Sequence, residues 1–235
     1  MHRREEPYAD GRSLDVFVPT GTMGRASPVA LCWHGRGADA KDELAPLGAL
    51  LSTLGWLAVV PNWTSDDEVV GCTQLACSIS WALEHAPALG ADPERIALVG
   101  WSRGARMAAD VADQGLVAGR WAPVAVVGLA GGYTLSSHAV AAPLGPTPAK
   151  PPRTWVLHGT RDTVVDPARS RAFADRLCAS GNEVRHVDVD CDHAGIVLCA
   201  YDAALRRCVP AGTGVDGVRA SLTSVFTEVR EAIGS

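Results

Sequence analysis

The sequence predicts a doubly wound α/β domain: a mostly parallel sheet of about seven or eight strands with helices on both faces. Two observations carry this prediction. Short apolar runs alternate with longer segments of helical periodicity along the chain, the pattern of successive β-α units. Most of the middle runs are apolar at every position rather than at alternate ones, as strands covered on both faces should be. No internal repeat or boundary divides the chain, so residues 1–235 read as a single domain, long enough to bury one sizeable core.

The strand candidates, in order, are 14–18 (LDVFV), 28–33 (PVALCW), 56–60 (WLAVV), 95–100 (RIALVG), 123–128 (PVAVVG), 154–159 (TWVLHG) and 183–189 (EVRHVDV). The first two are too close for a helical crossover and should be antiparallel. Helix candidates lie near 42–54, 66–88, 103–115, 167–180 and 215–233. Asp66 and Asp67 suit the start of the second, because acidic groups favour a helix N-terminus. Asp166-Pro167 reads as a cap followed by proline in the first turn. The segment 141–152 (AAPLGPTPAKPP) holds five prolines, which prevent regular structure. Only residues 129–153 lie between two neighbouring strands there, too few for a large helical cap.

Composition narrows the function classes. Hydrophobic residues make up 47% and charged residues 20%, an ordinary globular balance. The net charge is −5, from 21 basic and 26 acidic residues, with no dense basic stretch, so nucleic acid is not an expected partner. No uninterrupted apolar run reaches membrane-spanning length. Residues 1–10 are polar with no apolar stretch behind them, so neither a signal peptide nor a membrane partner is expected. The seven cysteines, Cys32, Cys72, Cys77, Cys178, Cys191, Cys199 and Cys208, are odd in number and irregularly spaced. They read as thiols in a reducing cytoplasm. Cys199 with Cys208, or Cys72 with Cys77, remain as pairs in an exported protein. No CxxC occurs, so no zinc site is expected.

The chemistry begins at Gly100-Trp101-Ser102-Arg103-Gly104. Ligands of an open parallel sheet bind beyond the carboxyl ends of its strands, and Ser102 sits at such an end, between strand 95–100 and helix 103–115. A serine on so tight a turn takes a strained backbone conformation. Gly100 and Gly104 are needed because a Cβ at either place would strike the neighbouring strand or helix. The following helix directs its positive end at developing negative charge. The competing reading is a glycine-rich turn with serine as a helix cap. Three more strand ends favour catalysis: LCWHGRGAD after 28–33, VLHGTRDTVVD after 154–159 and VDVDCDHAG after 183–189.

With these motifs in order, the chain resembles the α/β-hydrolases, the superfamily of serine-nucleophile esterases and lipases, over about residues 14–233. The matching parts are an oxyanion turn at His34-Gly35-Arg36-Gly37, the elbow at 100–104, an acid at Asp162 and a base at His193, in the family's chain order. Arg36 stands where one subgroup has glycine. The resemblance implies Ser102 as nucleophile, His193 as general base and Asp162 as the carboxylate that fixes its tautomer. Asp166, Asp190 and Asp192 compete for the acid's place; the first reads as a cap and the others as loop carboxylates. The resemblance implies oxyanion donors in the backbone N–H groups of Arg103 and of Arg36 or, alternatively, Gly37.

Among the other histidines, His34 and His158 precede glycines at strand ends and read as loop-orienting groups. His186 lies in a strand, and His138 falls in the irregular crossover. Trp33, Trp63, Trp101 and Tyr133 fall near strand ends, where they line a pocket or belong to the core. The expected activity is hydrolysis of a small-molecule ester of a short or compact acyl group, with no metal or organic cofactor. A thioesterase, peptidase, lactonase or acyltransferase would use the same residues, and a non-catalytic binding protein could keep the pocket.

Overall fold

A computed structural model describes residues 2–19, 25–37, 39–114, 121–133 and 151–234. Eight strands form one sheet: β1 (His2–Ala9), β2 (Arg12–Val18), β3 (Ser27–Trp33), β4 (Leu57–Pro61), β5 (Ala91–Trp101), β6 (Ala125–Leu129), β7 (Arg153–Gly159) and β8 (Val184–Val189). Their order is β1-β2-β4-β3-β5-β6-β7-β8. The pairs from β4 through β8 are parallel, while β1 with β2 and β2 with β4 are antiparallel. This is the doubly wound, mostly parallel sheet expected. The first two predicted strands, now β2 and β3, do run in opposite directions, but they do not pair, because β4 lies between them.

Among the described residues five α-helices cover the sheet: α1 (Ala45–Thr53), α2 (Glu68–His85), α3 (Arg103–Gln114), α4 (Pro167–Ala179) and α5 (Asp216–Ala232). Each falls within a predicted segment. The first turn of the first segment, Lys41–Leu44, is a 3-10 helix. Asp67 caps α2 by accepting the Val70 N–H at 3.0 Å, and Asp166 caps α4 by accepting the Ala168 N–H at 2.9 Å.

The core has two main layers, divided by strand alternation. Along β3, Ala30 and Cys32 join Phe17, Trp56 and Phe226 on the side of α1 and α5. Val29, Leu31 and Trp33 join Leu75, Ile79 and Val111 on the side of α2 and α3. A smaller cluster of Ala105, Tyr133, Val156 and Ala174 joins α3 to α4.

Two features depart from the sequence expectation. β1 (HRREEPYA), a polar stretch to which the sequence pattern assigns no strand, is an edge strand held by charge. Arg3 reaches Asp15 at 2.7 Å, and the buried Lys41 ammonium reaches Asp15 at 3.0 Å and Glu5 at 2.7 Å. Beyond β8, a hairpin of β9 (Cys199–Asp202) and β10 (Arg207–Pro210) forms a separate two-stranded sheet. The Asp202 carboxylate accepts the Ala204 and Leu205 N–H groups at its turn. Among the described residues no helix is long and apolar enough to cross a membrane. The crossover histidine, His138, and most of the proline-rich stretch lie outside the described residues, as does most of the segment 129–153 expected to lack a cap.

At the sheet's centre, the chain after β5 passes back under itself and against β3. A Cβ on Gly100 would lie 2.2 Å from the Gly104 carbonyl oxygen, and one on Gly104 would lie 2.1 Å from the Trp33 carbonyl oxygen. Backbone cannot yield to such contacts without moving the strands. Gly104→Ala is therefore expected to cost more than about 3 kcal/mol or to abolish folding. Gly212→Ala, where an added Cβ meets nothing within 4 Å, should stay within about 0.5 kcal/mol of the parent. Urea unfolding of both variants checks the contrast.

Candidate active site

Ser102 is held in the left-handed region, at φ 56°, a conformation that costs a non-glycine residue of order 1–3 kcal/mol. Its N–H donates to the Leu129 carbonyl at 2.8 Å, which ties the turn to β6. α3 begins at Arg103, so the first N–H groups of that helix have no partner within it. The turn after β3 lies beside the serine: a Cβ on Gly35 would be 3.2 Å from Ser102 Cβ and 3.3 Å from the Trp101 ring.

His34 braces this turn from below. Its Nδ1 lies 2.9 Å from the Gly35 carbonyl oxygen, and its Nε2 accepts the Trp63 N–H at 3.2 Å. A carbonyl takes only a proton and an N–H gives one, so the ring is the neutral tautomer with Nδ1–H. Farther along the turn, the Gly37 N–H donates to Ser65 Oγ at 2.8 Å and Ser65 Oγ donates to the Gly37 carbonyl at 3.2 Å. Of the two oxyanion alternatives in this turn, Gly37 thus has its N–H committed elsewhere. The Arg36 side chain is exposed and sits 3.4 Å from Asp66, an ion pair of little energetic weight.

Asp162 follows β7 and His193 follows β8. His193 Nδ1 donates to Asp162 Oδ2 at 2.7 Å, leaving its Nε2 as the nitrogen free for other chemistry. Asp162 Oδ1 accepts the N–H groups of Val164 and Val165 at 2.8 and 2.9 Å. Burial would raise the carboxyl's pKa, but the Val165 N–H, the hydrogen bond and charge of His193, and the Val164 N–H outweigh it. The group is held below its ordinary value and is ionised. The competing acids have other work: Asp166 caps α4, Asp192 accepts the Gly195 N–H at 2.7 Å, and the exposed Asp190 pairs with Arg161 at 2.8 Å.

The four aromatic residues separate by environment. Trp33 is fully buried in the α2/α3 layer, with its N–H on Ser78 Oγ at 3.3 Å. Trp63 is buried beside His34, with its side-chain N–H on the His34 carbonyl at 3.3 Å. Tyr133 is buried and stacked on Phe173, ring centroids 4.1 Å apart. None of these three is open to a ligand in this structure: strand alternation turns Trp33 into the core, and Trp63 and Tyr133, in the segments after β4 and β6, pack their rings inward. Trp101 faces the α1/α5 layer. Its N–H donates to the His193 carbonyl at 3.0 Å and its ring lies 5.2 Å from the imidazole.

Sequence reasoning missed two of these contacts. Ser65 carries no motif. The Trp101 bond to the His193 carbonyl joins residues 92 positions apart, so no local signal could show it. Among the described residues, no group of three or more His, Cys, Asp or Glu could hold a metal ion.

Comparison with known proteins completes the picture. No family model matches the chain. It is similar to Esterase LipQ of Mycobacterium tuberculosis, 28% identical over 225 residues, covering 74% of this chain and 52% of that protein. A further stretch of similarity, 29% identical over 135 residues, is to the non-reducing polyketide synthase pkbA of Emericella nidulans, covering 51% of this chain and 5% of the synthase. The chain thus spans about half the length of the esterase and a small part of the synthase. Among solved structures, esterase 2 of Thermogutta terrifontis phosphoramylated by tabun matches at TM-score 0.74 and 18% identity, over 99% of this chain and 95% of that one. The butyrate-bound form of that esterase matches at TM-score 0.73 and 17% identity, over 99% and 94%. With the strand order above, these likenesses show that the chain has the α/β-hydrolase fold.

Two predictions follow from the bracing contacts. Trp101→Phe keeps an aromatic ring but removes the indole N–H with its hydrogen bond and leaves a small void in the core. The melting temperature should fall by a few degrees, and amide exchange across residues 192–198 should quicken about 3- to 10-fold, more than in core strands far from the site, as read by hydrogen-exchange mass spectrometry. The second concerns His34, whose pKa burial pushes down to about 4 against the opposing pull of the Gly35 carbonyl. The unfolded chain binds this proton near pH 6.5, so between the two values the unfolded state holds more protons and stability rises with pH. His34's contribution is fully present above about pH 6.5 and is lost as pH falls through about 4. On going from about pH 7 to about pH 4.5, the parent should lose about 2.5 kcal/mol more than His34→Gln in urea unfolding.

Proposed function

We propose that this chain is a serine hydrolase that cleaves esters of small or compact acyl groups through an acyl-enzyme on Ser102. The observation that carries the reading is the 2.7 Å bond from His193 Nδ1 to a buried, ionised Asp162, on the sheet edge where the strained Ser102 stands. A hydroxyl is a weak nucleophile and needs a base. With Nδ1–H given to Asp162, the lone pair on His193 Nε2 accepts the Ser102 proton as Oγ attacks the carbonyl carbon. Asp162 stabilises the imidazolium that results. The oxygen takes on negative charge, and the backbone N–H groups of Arg36 and Arg103 are the donors assigned to it in this reading. His193 then returns its proton to the leaving alcohol, and the acyl group remains on Ser102. In the second half His193 takes a proton from water as the water oxygen attacks the acyl carbonyl; the bond to Ser102 Oγ then breaks, His193 returns the proton to that oxygen, and the acid leaves.

The comparisons support the ester class and the acyl size. LipQ is an esterase by name, and the Thermogutta esterase has been solved phosphorylated by paraoxon and with propionate and butyrate bound. A pocket suited to such acids gains about 0.8 kcal/mol per methylene only until it is filled.

A fluorophosphonate probe should label the parent, and Ser102→Ala should abolish labelling. Ser102→Ala and His193→Ala should each lower turnover by about 10⁴-fold or more, and Asp162→Asn by about 10⁴-fold, with the fold intact by circular dichroism. Along p-nitrophenyl acetate, butyrate, octanoate and palmitate, kcat/KM should peak at the short esters. A steady rise toward palmitate would refute the compact acyl site. Faster turnover of a matched thioester or amide would move the activity to one of the competing classes.

A further inference from the structure

His158 is the last but one residue of β7, and its side chain is fully buried. Its Nε2 faces two oxygens, Asp162 Oδ2 at 3.1 Å and the Val165 carbonyl at 3.0 Å. A carbonyl has no proton to give, and neither has an ionised carboxylate. Nε2 therefore carries the hydrogen and shares it between the two. On the other side of the ring, Nδ1 lies 2.6 Å from the oxygen of the buried Ser170 on α4, which is itself 3.5 Å from the Gly131 carbonyl. The shorter contact takes the hydroxyl proton: Ser170 donates to Nδ1, and the ring is the neutral Nε2–H tautomer.

Asp162 thus receives four N–H groups. Oδ1 is held by the backbone of Val164 and Val165, and Oδ2 by the side chains of His193 and His158. The two backbone bonds alone locate Oδ1 and leave Oδ2 to be located by whatever donates to it. His193 cannot do this by itself, because it is the group that must be located.

We propose that His158 is a positioning residue for the hydrolysis described above: its Nε2–H, with the tautomer set by Ser170, pins Asp162 Oδ2 in line with His193 Nδ1. The inference rests on the Ser102-His193-Asp162 reading. It also has an electrostatic consequence. A carboxylate that shares Oδ2 between two imidazoles holds the proton of either one less strongly than a carboxylate given to one. The ionisable groups around His158 are Asp162 on the acid loop, His193 and Cys191 on the loop after β8, His186 and Asp188 on β8, and Arg171 on α4, which pairs with Asp188 at 2.8 Å. None of these donates to Asp162 Oδ2 except His193.

The test uses three variants of the full chain, His158→Leu, His158→Gln and Ser170→Ala, assayed on p-nitrophenyl butyrate. His158→Leu removes the donor and should lower kcat about 10- to 100-fold, the equivalent of one hydrogen bond to a charged group, with KM unchanged. The acid limb of its kcat/KM profile should move to higher pH, because the freed carboxylate draws the His193 proton more strongly. His158→Gln can place an amide N–H near the same point and should recover most of kcat and the parent limb. Ser170→Ala keeps the imidazole and frees its tautomer; it should lower kcat several-fold with a smaller move of the limb, and it carries the test alone if the other two do not fold. An unchanged kcat and pH limb in a folded His158→Leu, or in Ser170→Ala where only that variant folds, overturns the proposal. So do equal losses in the Gln and Leu variants with an unmoved limb, which would mean packing only. Asp162→Asn is run beside them: if it is silent, the catalytic reading fails and this inference falls with it. If it is crippling while His158→Leu is silent, only the positioning role is lost.

Discussion

Three backbone segments meet at the centre of the sheet with room between them for hydrogen and nothing larger. The carbonyl of Gly104 presses on Gly100, and the carbonyl of Trp33 presses on Gly104. Because β5 and α3 can approach this closely, the chain reverses within a single turn, and Ser102 at its apex is driven to φ 56°. The same crossing draws the end of β3 against α3 and so sets the turn at 34–37 beside the serine. β5, the α3 that follows it and the distant end of β3 are registered by the absence of two Cβ atoms. A conformational strain of about 1–3 kcal/mol at one residue is small against the packing of two core layers that enforce it.

Everything beyond that crossing is loop, and loops hold a geometry only when they hold each other. Here they do. His34 joins the turn after β3 to Trp63 after β4, and Ser65 joins Gly37 to the same segment. The Arg161 N–H reaches the Cys191 carbonyl at 3.0 Å, which fastens the loop of Asp162 to the loop of His193. Trp101 fastens the loop of His193 to the elbow. The tryptophan beside the serine thus carries the register of one strand end to another. Removing its N–H would leave the ring packed and the loop less determined.

How much of this was legible depended on distance along the chain. The strand-helix alternation, the two glycines of the elbow and the order of Ser102, Asp162 and His193 are local patterns, and each could be read from a short window. Asp166 could be told from Asp162 because the proline after it marks a cap. β1 was not legible: its residues are charged, and what holds it is a buried lysine and aspartate from elsewhere. The hairpin of β9 and β10 has neither the apolar alternation nor the glycine turn that would announce it. Trp33 and Trp63 sit near strand ends as a pocket would require, but periodicity could not show which face they take. His158 stands four residues before Asp162, a spacing that fits a bond between them, yet only the fold shows that the ring turns inward to meet it.

The choice of carboxylate is decided by burial more than by nearness. Asp190, Asp192 and Asp162 all lie around the base loop, and in sequence the first two are the nearer to His193. A charge pair in water at about 4 Å is worth about 1 kcal/mol, and several times that where the effective dielectric is lower. The side chain of Asp190 is 85% exposed, so it can do little for an imidazolium. Asp192 spends Oδ1 on its own turn. Asp162 is the one whose charge is withdrawn from water, and such a charge survives only where donors replace the lost hydration. The turn after β7 supplies two N–H groups and β7 itself supplies His158. The carboxylate can therefore stay ionised where its field is strongest, and the imidazole of His193 is bonded to an aspartate from a separate strand end rather than to the aspartates beside it in sequence.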